Sequence, residues 1–312
     1  MRLVILDKAS FDCGDIDLSR LDSLNFDIET YENTQPEKVK ERVSQAEIVI
    51  TNKVVLDSGI IANAKKLKLI CISATGMNNV DLQAAKEHSI IVCNVTGYAT
   101  SSVVQHVFML ITALNTNLNR YQAAIKQHRW SESDFFCLLD YPVSDLSTQT
   151  LGIIGYGELG KGVAKVARGF GMKVVIAESF KKSHDLTEHR MPLNELLYKS
   201  DIVSLHCPLT EKTNNMITRV ELAQMKPTAL LINTARGGIV NEADLLVALK
   251  SKQIAGAGLD VLEHEPPSKD HPLINSHLDN LIITPHIAWA SQKSRQRLID
   301  GVIQNIEEFI QG

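Results

Sequence analysis

The chain has 312 residues, 44% of them apolar and 22% charged, with 32 Lys and Arg against 36 Asp and Glu for a formal charge of −4. At about 150 residues per domain this is material for two globular domains. The composition excludes a disordered or fibrous protein, and the absence of a basic block argues against nucleic acid as the main partner.

The apolar runs are short: Val107–Ile111 is among the longest, where a membrane span needs about 20 residues. Leu3-Val4-Ile5-Leu6 gives way at once to Asp7-Lys8, too short a run for a signal peptide. In chain order, Leu3–Leu6, Ile48–Thr51, Leu69–Ser73 and Ile90–Asn94 read as buried strands. Pro36–Gln45, Ser58–Lys66 and Asp81–His88 between them repeat apolar residues at helical spacing. Such alternation predicts parallel strands joined by crossover helices. Ser101 or Ser102 is placed to cap a long helix with an apolar stripe from Val103 to Leu114, and a second helix follows near Arg120–Gln127. Trp130–Thr150 has no period and reads as a loop. Alternation resumes with strands at Leu151–Ile154, Val174–Ala177, Ile202–Leu205, Leu230–Asn233, Gly256–Asp260 and Leu281–Thr284, and a last helix at Ser291–Ile310. The five cysteines, Cys13, Cys71, Cys93, Cys137 and Cys207, are scattered and never spaced C-x-x-C. That pattern suits reduced cytoplasmic thiols and argues against a disulfide framework or a zinc site.

Four motifs carry chemistry. The first is Gly155-Tyr156-Gly157-Glu158-Leu159-Gly160, which follows an apolar strand and precedes a helical pattern, with the acidic Glu178 ending the next strand. This is the context of a dinucleotide fingerprint. Gly155 serves the tight turn, Gly157 the approach of a pyrophosphate and Gly160 helix–sheet packing, while Glu178 suits a ribose 2′-hydroxyl and repels a 2′-phosphate. The second is Asn233-Thr234-Ala235-Arg236 at the end of another strand, where a guanidinium fork fits a carboxylate. The third, Asp260 to Glu265, sets carboxylates beyond a further strand, with Asp260 placed to hold a nicotinamide amide. The fourth is Thr284-Pro285-His286-Ile287-Ala288-Trp289, whose His286 is the best-placed of the ten histidines for proton transfer.

In order and wording these motifs resemble the D-isomer-specific 2-hydroxyacid dehydrogenases over essentially the whole chain. Ala74–Asp81, Asn94–Tyr98, Val103-Val104-Gln105-His106, Phe136-Cys137, Asp140-Tyr141-Pro142 and His286–Trp289 are similar to the bacterial glycerate dehydrogenase, or hydroxypyruvate reductase, branch. The resemblance implies two parallel-sheet α/β domains, Rossmann-like and flavodoxin-like. A discontinuous substrate domain (1–99 with 290–312) would receive an inserted NAD-binding domain (100–289). It implies reversible hydride transfer between NAD(H) and a small 2-keto or 2-hydroxy acid, with Arg236, Glu265 and His286 as the catalytic three. Arg236 would grip the carboxylate and polarise the keto oxygen, His286 would give or take the proton, and Glu265 would orient the imidazole. The loop Ala74, Thr75, Gly76 and Met77 would hold the substrate carboxylate through backbone amides, and Trp289 would restrict the pocket. Gly155, Gly157, Glu158, Leu159, Gly160, Glu178, His206, Cys207, Pro208, Thr213, Thr234, Ala235, Asp260 and Ala288 would meet the cofactor.

The resemblance also implies a homodimer, for which the helix after Ser101 has an apolar face broad enough to serve a partner as well as its own core. Gln105 stands where many relatives carry Glu, and Gly162 lies early in the phosphate-binding helix at a cost of about 1 kcal/mol against Ala. Lys181 and Lys182 keep NADP open beside NAD. Readings as a formate dehydrogenase, a phosphoglycerate-branch enzyme, a dinucleotide-sensing corepressor-like protein or another 2-keto-acid reductase of the same family are the alternatives. The Glu at position 265 and a chain ending at Gly312 speak against the first two. Turnover as opposed to peptide binding separates the third.

Overall fold

A computed structural model describes residues 1–179 and 189–312, and the chain divides into two compact units, Met1–Ala99 with Trp289–Gly312, and Thr100–Ala288. The first unit is built on five parallel strands, β1 (Arg2–Ile5), β2 (Asp27–Thr30), β3 (Ile48–Thr51), β4 (Leu69–Ile72) and β5 (Ile91–Cys93), in the order β2-β1-β3-β4-β5. Four helices connect them: α1 (Ser19–Asp22), α2 (Pro36–Val43), α3 (Ser58–Asn63) and α4 (Leu82–Glu87). Strand side chains alternate between faces. Val4, Leu6, Val49, Ile70 and Ile72 therefore pack against Val39 and Val43 of α2, Ile61 of α3 and Ala84 and Ala85 of α4. Leu3, Ile5, Ile48, Ile50 and Leu69 pack the other way, against Leu298, Val302 and Ile306 of the last helix, Gln292–Gln311. Both faces being covered, β3 and β4 are continuous apolar runs. The edge strand β2 has no apolar run to betray it; Asp27-Ile28-Glu29-Thr30 is held by backbone pairing to β1.

In the second unit seven parallel strands follow the order β12-β11-β10-β9-β6-β7-β8. They are β6 (Thr150–Ile154), β7 (Lys173–Ala177), β8 (Arg190–Met191), β9 (Ile202–Leu205), β10 (Leu230–Asn233), β11 (Gly256–Leu259) and β12 (Leu281–Ile283). The order turns back at β6, which lies between β7 and β9. Connections therefore leave it in opposite directions and open a crevice beyond the strand ends, the usual ligand position in such sheets. The helices are α5 (Thr100–Asn115), α6 (Leu118–Lys126), α7 (Glu158–Gly169), α8 (Leu193–Lys199), α9 (Arg219–Leu222) and α10 (Glu242–Lys250). Helices α8 to α10 cover one face through Leu196, Leu197, Leu222, Leu245 and Leu249, and α5 and α7 cover the other. Gly162 earns its place here: a Cβ on it would sit 2.9 Å from Cγ2 of Val104, so its absence lets α7 pack closely on α5.

The helix begins at Thr100 rather than after Ser101 or Ser102. Ser102 is therefore inside the first turn, and its hydroxyl donates to the Ala288 carbonyl at 2.7 Å instead of capping. The apolar stripe Val103, Val104, Val107, Phe108, Leu110 and Ile111 is buried within this chain. Between Trp130 and Gln149 the structure has one short 3-10 turn, Leu146–Thr148, and no strand or α-helix. Among the described residues no helix is long and apolar enough to cross a membrane, and no group of His, Cys, Asp or Glu is arranged to hold a metal.

Candidate active site

The second unit gathers its candidate residues beyond the ends of β6, β9, β10, β11 and β12. After β6 the chain turns at Gly155 with φ +95°, and a Cβ there would lie 2.5 Å from the backbone of His206. Both the turn and the neighbouring strand end thus require glycine. A Cβ on Gly160 would strike the Gly155 carbonyl, whereas one on Gly157 would meet nothing. Gly157 N-caps α7 without a side-chain cap, leaving an open cradle over the amides of a twelve-residue helix, an arrangement that attracts phosphate. Glu158 in its first turn accepts a hydrogen bond from the Thr100 hydroxyl. Leu159 is half-buried beside it, and Glu178 is exposed just past β7. Lys181 and Lys182 lie outside the described residues.

At the end of β9, burial pushes the His206 imidazole down to about 4. It shares its Nε2 with the Ser204 hydroxyl at 2.9 Å. The Cys207 thiol, also buried, is pushed up to about 11, so neither group carries charge near neutrality. Pro208 is exposed; its carbonyl accepts from the buried Thr213 hydroxyl at 2.7 Å, which fixes the loop. Two polar atoms in this region, His206 Nδ1 and Thr234 Oγ1, are buried without a partner among the described residues. Orphaned polar atoms beside an uncapped, unobstructed helix start are what a polar dinucleotide would satisfy.

Arg236 follows β10. The buried Asn233 folds the turn beneath it, accepting from the Ala235 amide at 3.0 Å and donating to the Arg236 carbonyl at 2.9 Å. The guanidinium is exposed and donates to the Ala235 carbonyl. A Cβ on Gly237 would collide with Leu262, so the turn carrying Arg236 packs directly on the loop carrying Glu265. Glu265 accepts from the Leu262 amide at 2.9 Å through Oε1, and its Oε2 lies 2.6 Å from Nδ1 of His286. The pair is partly open, with side chains 34% and 30% exposed. A carboxylate accepts only, so Nδ1 carries the hydrogen in this contact, which fixes the orientation of the ring.

His286 has φ +54°, a left-handed conformation costing about 1–2 kcal/mol for a residue with a Cβ. The buried Asp260 holds it. The Asp260 carbonyl accepts from the His286 amide, Oδ1 accepts from the Ile287 amide and the Thr284 hydroxyl, and Oδ2 accepts from the Ala288 amide. Burial alone would push this carboxyl up. Hydrogen bonds from His106, Thr284, Ala288 and Ile287 outweigh it and hold the pKa below the ordinary 3.8. Asp260, expected as a nicotinamide contact, is seen here as the floor of the histidine turn.

Sequence reasoning missed Ser102, His106 and Asn233. For the first two a signal existed: polar residues four apart at the edge of an apolar stripe lie on one helix face.

The remaining candidates belong to the first unit. Thr75 donates to the Val95 carbonyl at 3.1 Å and accepts through its carbonyl from Asn94, which shapes the loop Ala74–Met77 after β4. Ala74 is buried, Gly76 and Met77 are half-buried, and Trp289 meets Tyr98 edge-on with centroids 6.3 Å apart.

Residues 108–288 match the family model of the D-isomer specific 2-hydroxyacid dehydrogenase NAD binding domain. The chain belongs to this dehydrogenase family. A glycerate dehydrogenase of Methylorubrum extorquens is 42% identical, with 100% of this chain and 96% of the relative covered. A hydroxypyruvate reductase of Blautia hydrogenotrophica is 36% identical, covering 100% and 98%. The structure of D-lactate dehydrogenase from Aquifex aeolicus, complexed with NAD and lactic acid, superposes with a TM-score of 0.84 at 30% identity, covering 100% of this chain and 96% of that one. The protein is an NAD-dependent oxidoreductase acting on the CH–OH group of 2-hydroxy acids.

Proposed function

We propose that this dehydrogenase reduces hydroxypyruvate to D-glycerate, reversibly, and glyoxylate to glycolate beside it. The reading rests on the full-length likeness to a glycerate dehydrogenase and a hydroxypyruvate reductase, together with the Glu265–His286 pair. NAD, when bound, takes up or supplies the hydride at C2 of the acid. The residues that would hold it are the Gly155–Gly160 turn with Glu158 and Leu159, Glu178 at the ribose, and His206 to Pro208 with Thr213. Thr234, Ala235, Arg236, Asp260, His286 and Ala288 would complete the set.

Arg236 grips the carboxylate and compensates the charge that develops on the keto oxygen. The Nε2 proton of His286 passes to that oxygen on reduction and returns on oxidation, while Glu265 stabilises the imidazolium. The amides of Ala74–Met77 also bind the carboxylate, and Trp289 limits substrate size. The assembly is a homodimer, although its apolar surface differs from the expectation: the stripe of α5 is spent internally, and Trp130, Phe135, Phe136 and Leu139 are exposed instead. Five cysteines without a disulfide among the described residues fit a cytoplasmic location.

A keto-acid panel with NADH and NADPH, reporting kcat/KM, tests the reading. Hydroxypyruvate with NADH should lead. A bulkier keto acid turned over more efficiently than both hydroxypyruvate and glyoxylate would refute the substrate.

A further inference from the structure

Helix α5 sends two polar side chains onto the turn that carries His286. Ser102 donates to the Ala288 carbonyl at 2.7 Å. One helical turn further, His106 places Nε2 2.8 Å from the Thr284 hydroxyl and 3.3 Å from Oδ1 of Asp260. The two contacts grip the turn at its ends, Thr284 and Ala288, with the left-handed His286 between them. The direction of the hydrogen bonds is fixed by their inventory. Asp260 can only accept, so the single Thr284 proton goes to Oδ1, 2.6 Å away. Thr284 must then accept from His106, which requires a hydrogen on Nε2 of the imidazole. The His106 side chain is 11% exposed and that of Asp260 1%, so water offers little substitute for this donor.

We propose that His106 is a positioning residue for proton transfer: its Nε2–H, through Thr284 and Asp260, holds the turn that aims His286. Without that donor the Thr284 hydroxyl keeps its bond to Asp260 but loses the hydrogen it accepts, and Asp260 loses the nearest polarised hydrogen beyond the turn itself. The turn relaxes from the left-handed conformation, and the imidazole leaves its register with Glu265. The proposal rests on the reading of His286 as the proton donor. It adds a side chain that acts through Thr284 and Asp260.

The test uses the full-length protein with NADH and hydroxypyruvate, in four variants. His106→Leu removes the donor while keeping bulk, and His106→Gln keeps an N–H near the position of Nε2. Thr284→Val breaks the same link by an isosteric change, and His286→Ala is the reference. His106→Leu and Thr284→Val should each lower kcat about tenfold to a hundredfold, the scale of a misplaced catalytic group. KM for the keto acid and the NADH affinity read from cofactor fluorescence should barely move. His106→Gln should restore most of the rate, which a simple packing role would not predict. Parent-like kcat in His106→Leu or Thr284→Val overturns the proposal, as does a His106→Gln variant no faster than His106→Leu. A loss carried by KM rather than kcat also overturns it. If His106→Leu does not fold, Thr284→Val and His106→Gln carry the same comparison. A His286→Ala variant that turns over like the parent refutes the proton-donor reading itself. A slow His286→Ala beside a normal His106→Leu refutes only the role of His106.

Discussion

Replacing Asp260 by Asn changes one atom and tests the logic of the histidine turn. In the native protein the two carboxylate oxygens accept from the Thr284 hydroxyl at 2.6 Å and from the Ile287 and Ala288 amides at 2.9 Å each. An amide can keep its oxygen toward Thr284 and Ile287 only by turning its NH2 toward the Ala288 N–H, donor against donor. One charged hydrogen bond is then lost outright and the others are weakened. At about 1.5–3 kcal/mol for the lost hydrogen bond to a charged group, plus the weakening of the other two and less what His286 recovers by relaxing its left-handed strain, the loss of stability should be about 2–4 kcal/mol. For a unit of this size that is a fall in Tm of about 10 °C. The rate should fall about a hundredfold, because His286 no longer sits against Glu265.

The sign of the pH dependence follows from the lowered carboxyl. Its contribution is complete above the ordinary value of 3.8 and is lost as pH falls through the lower folded value. The Tm gap between parent and Asp260→Asn should therefore be flat from about pH 5 upward and close only in stronger acid. Differential scanning calorimetry across pH, with kcat at pH 7, measures both quantities. An Asp260→Asn protein with parental Tm and kcat would refute the reasoning, as would a gap that grows toward acid.

Three further outcomes are expected. On the proposed role of Glu178 at the ribose, Glu178→Ala should narrow the preference for NADH over NADPH, measured as the ratio of kcat/KM, by removing an acceptor and a charge hostile to a 2′-phosphate; a parent that already favours NADPH contradicts this. Arg236→Lys should raise KM for the keto acid and lower kcat together, because a point ammonium cannot reproduce a two-pronged grip, and near-native values for both would remove Arg236 from the site. Glu265→Gln should lower kcat in both directions, within the roughly 10²–10⁴ typical of acid–base machinery, with a primary isotope effect from deuterated NADH showing that chemistry limits; an unchanged kcat would uncouple the carboxylate from the proton.

The sequence by itself determined the parallel α/β class, because buried strands such as Ile48–Thr51 and Leu230–Asn233 are apolar on both faces and bounded by helical periods. It also marked the glycine turn between β6 and α7, whose glycines answer to a backbone collision at Gly155 and an open helix start at Gly157. It did not reveal β2, a polar edge strand held by pairing alone. The two-residue β8, too short to show a period, was equally hidden. Most of all, only the tertiary structure decided how Asp260, Thr284 and His106 come together. They lie on separate segments, and their hydrogen bonds depend on a helix packing over β10 and β11. Local pattern records which face of an element is buried. It does not record which polar group on the next element will meet a buried carboxylate there, because that pairing is settled only when the elements dock.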